Sequence, residues 1–217
     1  MTRQYIVDTV APASDRRPTD EVRIRSRGRL PHWERDEATY FVTFRLFDSL
    51  PVTVLLRLKE AGRLDVQISA DYADRLDAYL DRGSGDSFLK DPRVAMLVVD
   101  ALRHFNDLRY RLHAWCVMPN HVHVVFSSMP ARTPALRLSK IIQSWKSYTA
   151  KEANRLLART GPFWQREYYD HLVRDEADFV RCIDYTINNP VKAGLCERWE
   201  DWPASGLRLI DTTSPPA

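Results

Sequence analysis

Apolar and polar positions alternate most cleanly over Thr39-Tyr-Phe-Val-Thr-Phe-Arg-Leu46, a pattern that predicts a strand. Tyr40, Val42, Phe44 and Leu46 fall on one side and Phe41, Thr43 and Arg45 on the other, so the first side is the candidate core face. Two further strands are predicted over 109–118 and 121–127, with Pro119-Asn120 as the tight turn between them. Elsewhere a helical period takes over. Pro92 is suited to open a helix running to about Phe105, with Val94, Leu97, Val98 and Leu102 as its apolar stripe. Residues 133–158 read as a long helix with Leu136, Ile141, Ile142, Trp145 and Tyr148 on its buried side. A strand suits 164–173, and a helix over 175–188 follows, stopped by Pro190.

The intervening segments are less regular. Residues 51–105 read as mainly helical, with a periodic run at 70–80 broken by Asp81-Arg-Gly-Ser-Gly-Asp86. Residues 11–39 are rich in Pro, Arg, Asp and Glu and read as an irregular arm. The alternation of Arg23, Arg25, Arg27 and Arg29 also fits a short edge strand or a phosphate-touching segment. The chain after Trp202 reads as a loose tail in which 207–210 can form a short strand. This order fits an α+β fold, an antiparallel sheet packed against helices, better than a parallel doubly wound one. No Gly-rich phosphate loop of the common types occurs.

Composition narrows the class without naming it. The 217 residues, 44% hydrophobic, suffice for one sizeable core. A formal net charge of +3 permits a polyanionic partner but does not demand one. Cys116, Cys182 and Cys196 are odd in number and far apart, which fits thiols in a reducing compartment. The N-terminus lacks the apolar run of a signal peptide and no stretch has the length of a membrane span, so a cytoplasmic protein is expected.

Two constellations carry chemistry. His121 and His123 lie one residue apart on a predicted strand, which puts both imidazoles on one side while Val122, Val124 and Phe126 point to the core. Neutral imidazole binds several divalent metals, and two histidines leave an open rather than a closed structural site. An exposed strand with two ordinary histidines is the competing reading, with His113 and His171 as possible neighbours. The second constellation is the helix Phe179-Val-Arg-Cys-Ile-Asp-Tyr-Thr-Ile-Asn-Asn-Pro190. Phe179, Ile183 and Ile187 recur on its core side, and Arg181, Tyr185 and Asn189 recur on a nearly opposite face. Tyrosine can serve as a covalent nucleophile, and a phosphotyrosine link keeps a broken strand competent for rejoining. Tyr148, Tyr168 and Tyr169 are rivals on chemistry alone. Asn189 can approach a metal or phosphate, or simply end the helix.

Five blocks together resemble a known family: Tyr40-Phe-Val-Thr-Phe44, Trp115 to Phe126, Phe163 to His171, Asp184 to Gly194, and Trp199-Glu-Asp-Trp-Pro-Ala-Ser205. They are similar to IS200-like tyrosine transposases, in the branch associated with repetitive extragenic palindromes. The resemblance spans roughly residues 29 to 206, leaving an arm over 1–28 and a tail over 207–217. It implies a ferredoxin-like, RRM-like core with His121 and His123 as metal ligands and Tyr185 as nucleophile. Asn189 would complete the metal site, with Mg2+ or Mn2+ as cofactor. It further implies nicking of single-stranded DNA beside a hairpin or palindromic repeat, giving a 5′-phosphotyrosine and a 3′-hydroxyl. The extra helical material between Leu50 and Pro92 departs from shorter members, and both monomer and homodimer remain open.

Arg45, Lys140, Lys146, Lys151, Arg155, Arg166 and Arg181 are the candidate phosphate contacts, which would position DNA without reading its sequence. Trp164 and Tyr169 are candidates for stacking on unpaired bases, with core packing as the simpler reading. Two other functions share these features: a hairpin-binding regulator without turnover, and a metal-dependent hydrolase using water.

Overall fold

The computed structural model describes residues 23–26, 31–35, 37–49, 85–129 and 137–208. The periodic run at 70–80, most of the N-terminal arm, Leu136 and residues 209–210 lie outside the described residues. Two short strands, β1 (Arg23–Ser26) and β2 (Pro31–Glu34), pair antiparallel. The arginine alternation over this stretch thus includes a strand, within a segment also read as irregular.

The main sheet is built from β3 (Thr39–Arg45), β4 (Tyr110–Val117), β5 (His121–Ser128), β6 (Tyr169–Leu172) and β7 (Ser205–Leu207). Its order is β6-β3-β5-β4-β7, antiparallel throughout. Among the described residues, helix α1 (Pro92–Arg103) lies between β3 and β4, α2 (Leu138–Leu156) between β5 and β6, and α3 (Glu176–Lys192) follows β6. The β-α-β-β-α-β order with β3 and β5 central is the ferredoxin-like arrangement. No helix among the described residues is long and apolar enough to cross a membrane.

Both faces of this sheet are covered. Tyr40, Val42, Phe44 and Leu46 join Val122, Val124 and Phe126 beneath α1 and α2, as the alternation predicts. The other face, bearing Phe41 and Val125, is closed by Phe179, Ile183 and Ile187 of α3. All seven residues of β3 are therefore buried, which suits its β-branched and aromatic composition. The hairpin between β4 and β5 closes through Met118 N–H donating to His121 O at 2.8 Å, with Pro119-Asn120 as its two-residue loop. A bulge between Leu112 and Ala114 puts His113 out of register.

Helix ends follow local chemistry. Asp91 accepts the Arg93 N–H at the start of α1, next to Pro92, and Asp175 accepts the Asp178 N–H at the start of α3. Pro190, expected to stop α3, lies inside its last turn. The stop comes at Gly194, whose φ of 68° suits glycine. There Leu195 N–H donates to Pro190 O at 2.9 Å and Gly194 N–H to Val191 O at 3.0 Å, a Schellman ending. The described start of the tail is also regular rather than loose. Residues 205–207 form the fifth strand, and Gly206 is needed there because an added Cβ would run into the Trp115 ring. The strand expected over 164–173 is regular only over Tyr169–Leu172, with one isolated bridge from Trp164 to Leu46. Tyr148 is 54% exposed rather than packed with Ile141 and Trp145. Three residues advance a helix by only about 300°, which carries Tyr148 past the edge of the buried stripe.

Candidate functional site

The histidine pair lies on the sheet face that α3 covers. Register sets Thr43 opposite His123 and Arg45 opposite His121 on β3, with Cys116 opposite His123 on β4. His121 and His123 are both fully buried, so the exposed-strand reading does not hold. Their Nε2 atoms face each other at 2.9 Å. Each Nδ1 has its own partner: Asn120 Oδ1 at 2.7 Å from His121, and Thr43 Oγ1 at 2.9 Å from His123. Burial, with the nearby Lys192 charge, pushes the His123 pKa down to about 3, so this ring is neutral across the physiological range. Neutral imidazole is the form that binds a metal.

Helix α3 brings three more polar groups to this face. The Tyr185 ring meets the His123 ring with centroids 5.6 Å apart and the Phe41 ring at 5.7 Å, both edge-on. Lys192 Nζ lies 4.5 Å from the Tyr185 ring centroid. Asn189, one turn beyond Tyr185, is 1% exposed. It does not share an outward face with Arg181, as the four-residue spacing suggests. Each four-residue step drifts about 40° around a helix, and two steps carry the position from the solvent side to the sheet side. Asn189 Oδ1 is buried with no hydrogen-bond partner among the described residues. An unmatched buried acceptor costs roughly 1–3 kcal/mol, a cost relieved by a cation or donor.

A divalent ion fits this donor set. Metal–ligand bonds of about 2.1 Å in an octahedron place adjacent donors about 3 Å apart, and the two Nε2 atoms stand at 2.9 Å. The helix α3 that covers this face carries a further hard donor, the unmatched Asn189 Oδ1. A second group of possible ligands also exists: donor atoms of His171, Asp178 and Cys182 lie within 4.8 Å of one another and are close enough to hold a divalent metal. Its present bonding is different in kind. Asp178 Oδ2 accepts from His171 Nε2 at 2.8 Å and Arg174 N–H at 3.0 Å, and Oδ1 accepts from Arg181 at 3.2 Å. Burial opposes ionisation of Asp178, but these bonds prevail and hold its carboxyl below the usual range. Burial pushes the Cys182 thiol up to about 12, so it keeps its proton and is a poor ligand.

The basic residues do not form one surface. Lys140, Lys151 and Arg155 are exposed on α2, across the sheet from the histidines, and Arg155 pairs with Glu152 at 2.9 Å. Lys146 is drawn inward, donating to Gln165 O at 2.6 Å and Arg166 O at 2.9 Å. Burial lowers its pKa to about 8. Arg45 is buried beside Ser49, its Nη1 donating to Oγ at 3.3 Å. Arg166 is exposed, and Arg181 is exposed on α3 beside Asp178. Tyr169 packs on Phe41 at 6.2 Å and Trp164 on Phe44 at 4.9 Å, so both serve the core. His113 bonds Ser127 Oγ at 2.7 Å and packs on Phe179. Sequence reasoning passes over Thr43, Asn120 and Lys192. Asn120 precedes the pair in the turn and was legible there, whereas Thr43 joins it only through cross-strand register.

Comparison with known proteins agrees with this architecture. Residues 100–185, from α1 to Tyr185, match the family model for IS200-like transposases. A putative REP-associated tyrosine transposase of Haemophilus influenzae is 33% identical over 101 residues, covering 43% of this chain and 57% of that protein. A REP-associated tyrosine transposase of Escherichia coli is 25% identical over 99 residues, covering 46% and 55%. The chain thus spans somewhat over half the length of these relatives. The solved structure of a REP-associated tyrosine transposase bound to a REP hairpin shares the fold, with a TM-score of 0.52 at 18% identity over 87% of this chain and 92% of that one. Over residues 100–185 the chain is thus similar to IS200-like transposases, and the relatives it matches in part include REP-associated tyrosine transposases.

Proposed function

We propose that this protein nicks single-stranded DNA beside a hairpin-bearing repeat and rejoins it through a 5′-phosphotyrosine on Tyr185. The ion would be Mg2+ or Mn2+, held by His121, His123 and Asn189. The observation that carries this reading is the contact between the Tyr185 ring and the ring of His123, whose Nε2 faces that of His121. The ring of a tyrosine thus lies against one of two paired metal-competent imidazoles, which supports a shared site.

In the first step Tyr185 Oη attacks the scissile phosphorus, the bond from phosphorus to the 3′ oxygen breaks, and the phenolic proton is released. The 3′ oxygen takes up a proton and leaves as a hydroxyl, so one phosphodiester is exchanged for another. When bound, the ion would polarise a phosphate oxygen and stabilise the charge developing on it. The chain's own contribution is placement. Phe41 and His123 fix the edge of the Tyr185 ring, while Lys192 lies against it. The Lys192 ammonium also puts a fixed positive charge where a phosphate must arrive. Attack by a second 3′-hydroxyl on the phosphotyrosine reverses the exchange and frees Tyr185. Arg166 and Arg181 are proposed to contact flanking DNA. Lys140, Lys151 and Arg155 would meet DNA away from the cleavage point, since α2 lies across the sheet.

Labelled single-stranded DNA carrying a hairpin, incubated with protein and Mg2+, tests the proposal on a denaturing gel. A nicked product with a free 3′-hydroxyl and a protein-linked 5′ fragment is expected. Products bearing free 5′-phosphates, formed equally well by Tyr185→Phe, would instead establish hydrolysis by water.

A further inference from the structure

Three hydrogen bonds run in series across the histidine pair, and their direction can be worked out. Thr43 Oγ1 meets His123 Nδ1 at 2.9 Å, His123 Nε2 meets His121 Nε2 at 2.9 Å, and His121 Nδ1 meets Asn120 Oδ1 at 2.7 Å. The Asn120 end is an amide oxygen, which only accepts, so His121 Nδ1 carries a proton and donates it. His121 is 0% exposed, and burial favours the uncharged ring, so its Nε2 is bare. The bond between the two Nε2 atoms needs one proton, which His123 must supply. His123 Nδ1 is consequently bare and accepts from the Thr43 hydroxyl. In this arrangement His121 already presents a lone pair at Nε2, while His123 does not.

We propose that Thr43 is a positioning residue that lets His123 exchange tautomers, so that both Nε2 atoms become available to one divalent cation. Asn120 holds His121 in the required tautomer throughout. The inference rests on the metal role proposed above for His121 and His123. For both lone pairs to meet a cation, His123 gives up the proton at Nε2 and takes one up at Nδ1, leaving the charge of the ring unchanged. The new Nδ1–H then needs an acceptor in a closed environment, since His123 is 0% and Thr43 4% exposed. A hydroxyl meets both demands by rotating: it donates to a bare Nδ1 and accepts from a protonated one. A fixed carbonyl or carboxylate could only accept, and an aliphatic side chain could do neither. The hydrogen bond to the second ring nitrogen orients a metal-binding histidine and tunes its basicity.

Long-range 1H–15N NMR on the full chain with 15N-labelled histidine reads each tautomer directly. Without metal, His121 should appear as the Nδ1–H form and His123 as the Nε2–H form. With Mg2+ both should appear as Nδ1–H. Mn2+ affinity of the same chain, followed by electron paramagnetic resonance, should fall by roughly 10–100-fold in Thr43→Val and recover in Thr43→Ser. Failure of wild-type protein to bind Mn2+ in a manner dependent on His121 and His123 would overturn the metal role and this inference with it. Histidine-dependent binding that persists within about twofold in Thr43→Val, or a His123 tautomer unmoved by Mg2+, would overturn the role of Thr43 alone. The tautomer measurement needs no variant, so misfolding of Thr43→Val cannot mask the answer.

Discussion

The rings of Tyr185 and His123 meet edge-on, with centroids 5.6 Å apart and planes at 86°. The same tyrosine ring stands at 89° to Phe41, so its position is set by two neighbours on the sheet. Tyr185→Phe keeps these contacts and should change stability by less than about 0.5 kcal/mol. Tyr185→Ala removes them and should cost roughly 1–3 kcal/mol. Urea unfolding of the two variants checks both values. A large loss in Tyr185→Phe would mean that the hydroxyl is there for the fold.

Metal addition should stabilise the protein through the histidine pair. At about 100 times Kd a bound ion contributes about 2.7 kcal/mol, visible as a rise in Tm with Mn2+. His121→Ala and His123→Ala should abolish this rise and Asn189→Ala should reduce it. Cys182→Ser should leave it intact, because the buried Cys182 thiol keeps its proton with a pKa pushed up to about 12. A rise that survives loss of both histidines but disappears in Cys182→Ser would assign the ion to the cluster of His171, Asp178 and Cys182.

Asp178 gives the fold an acid-sensitive contact. Its carboxyl is buried yet held below the usual range by bonds from Arg174 N–H, His171 and Arg181. A folded pKa below the unfolded one means that the contribution is complete above the unfolded value of about 3.9 and is lost as pH falls through the folded value. The stability difference between wild type and Asp178→Asn should therefore be flat near neutrality and shrink on acidification below about pH 4. Denaturant titrations at several pH values measure it, and a difference that grows in acid would contradict the assignment.

Lys192 should act as a single phosphate contact. Its ammonium lies 4.5 Å from the Tyr185 ring centroid at the exposed end of the site. Replacement by methionine should weaken binding of single-stranded DNA and lower the slope of log affinity against log salt by about 0.7. An unchanged salt slope would leave Lys192 with only its contact to the ring.

Much of the fold is legible in the periodicity. Two-residue alternation places Tyr40, Val42 and Phe44 with Val122, Val124 and Phe126 in one core, as found. The same alternation puts His121 and His123 together, because side chains two apart on a strand share a face. What periodicity does not contain is the partner across the sheet. Thr43 reaches His123 only through the pairing of β3 with β5, some eighty residues later in the chain. Nor does it show that α3 closes the histidine face, which turns Phe41 and Val125 into a second core. Asn189 and Tyr148 depart from the simple periodicity for one reason: steps of three or four residues are not whole turns, and the remainder moves a residue across the edge of a stripe. Lys146 illustrates a further limit, since a long side chain can leave its helix face to reach the carbonyls of Gln165 and Arg166.

The most direct test of the central claim is mass spectrometry of the covalent species. Protein incubated with Mg2+ and hairpin-bearing single-stranded DNA is digested with nuclease and then trypsin. The peptide from Cys182 to Lys192 contains a single tyrosine, Tyr185. The account predicts this peptide carrying a nucleotide 5′-phosphate on Tyr185, and none in Tyr185→Phe. A nucleotide on Tyr148, Tyr168 or Tyr169, or nicked DNA with no modified peptide at all, would contradict it.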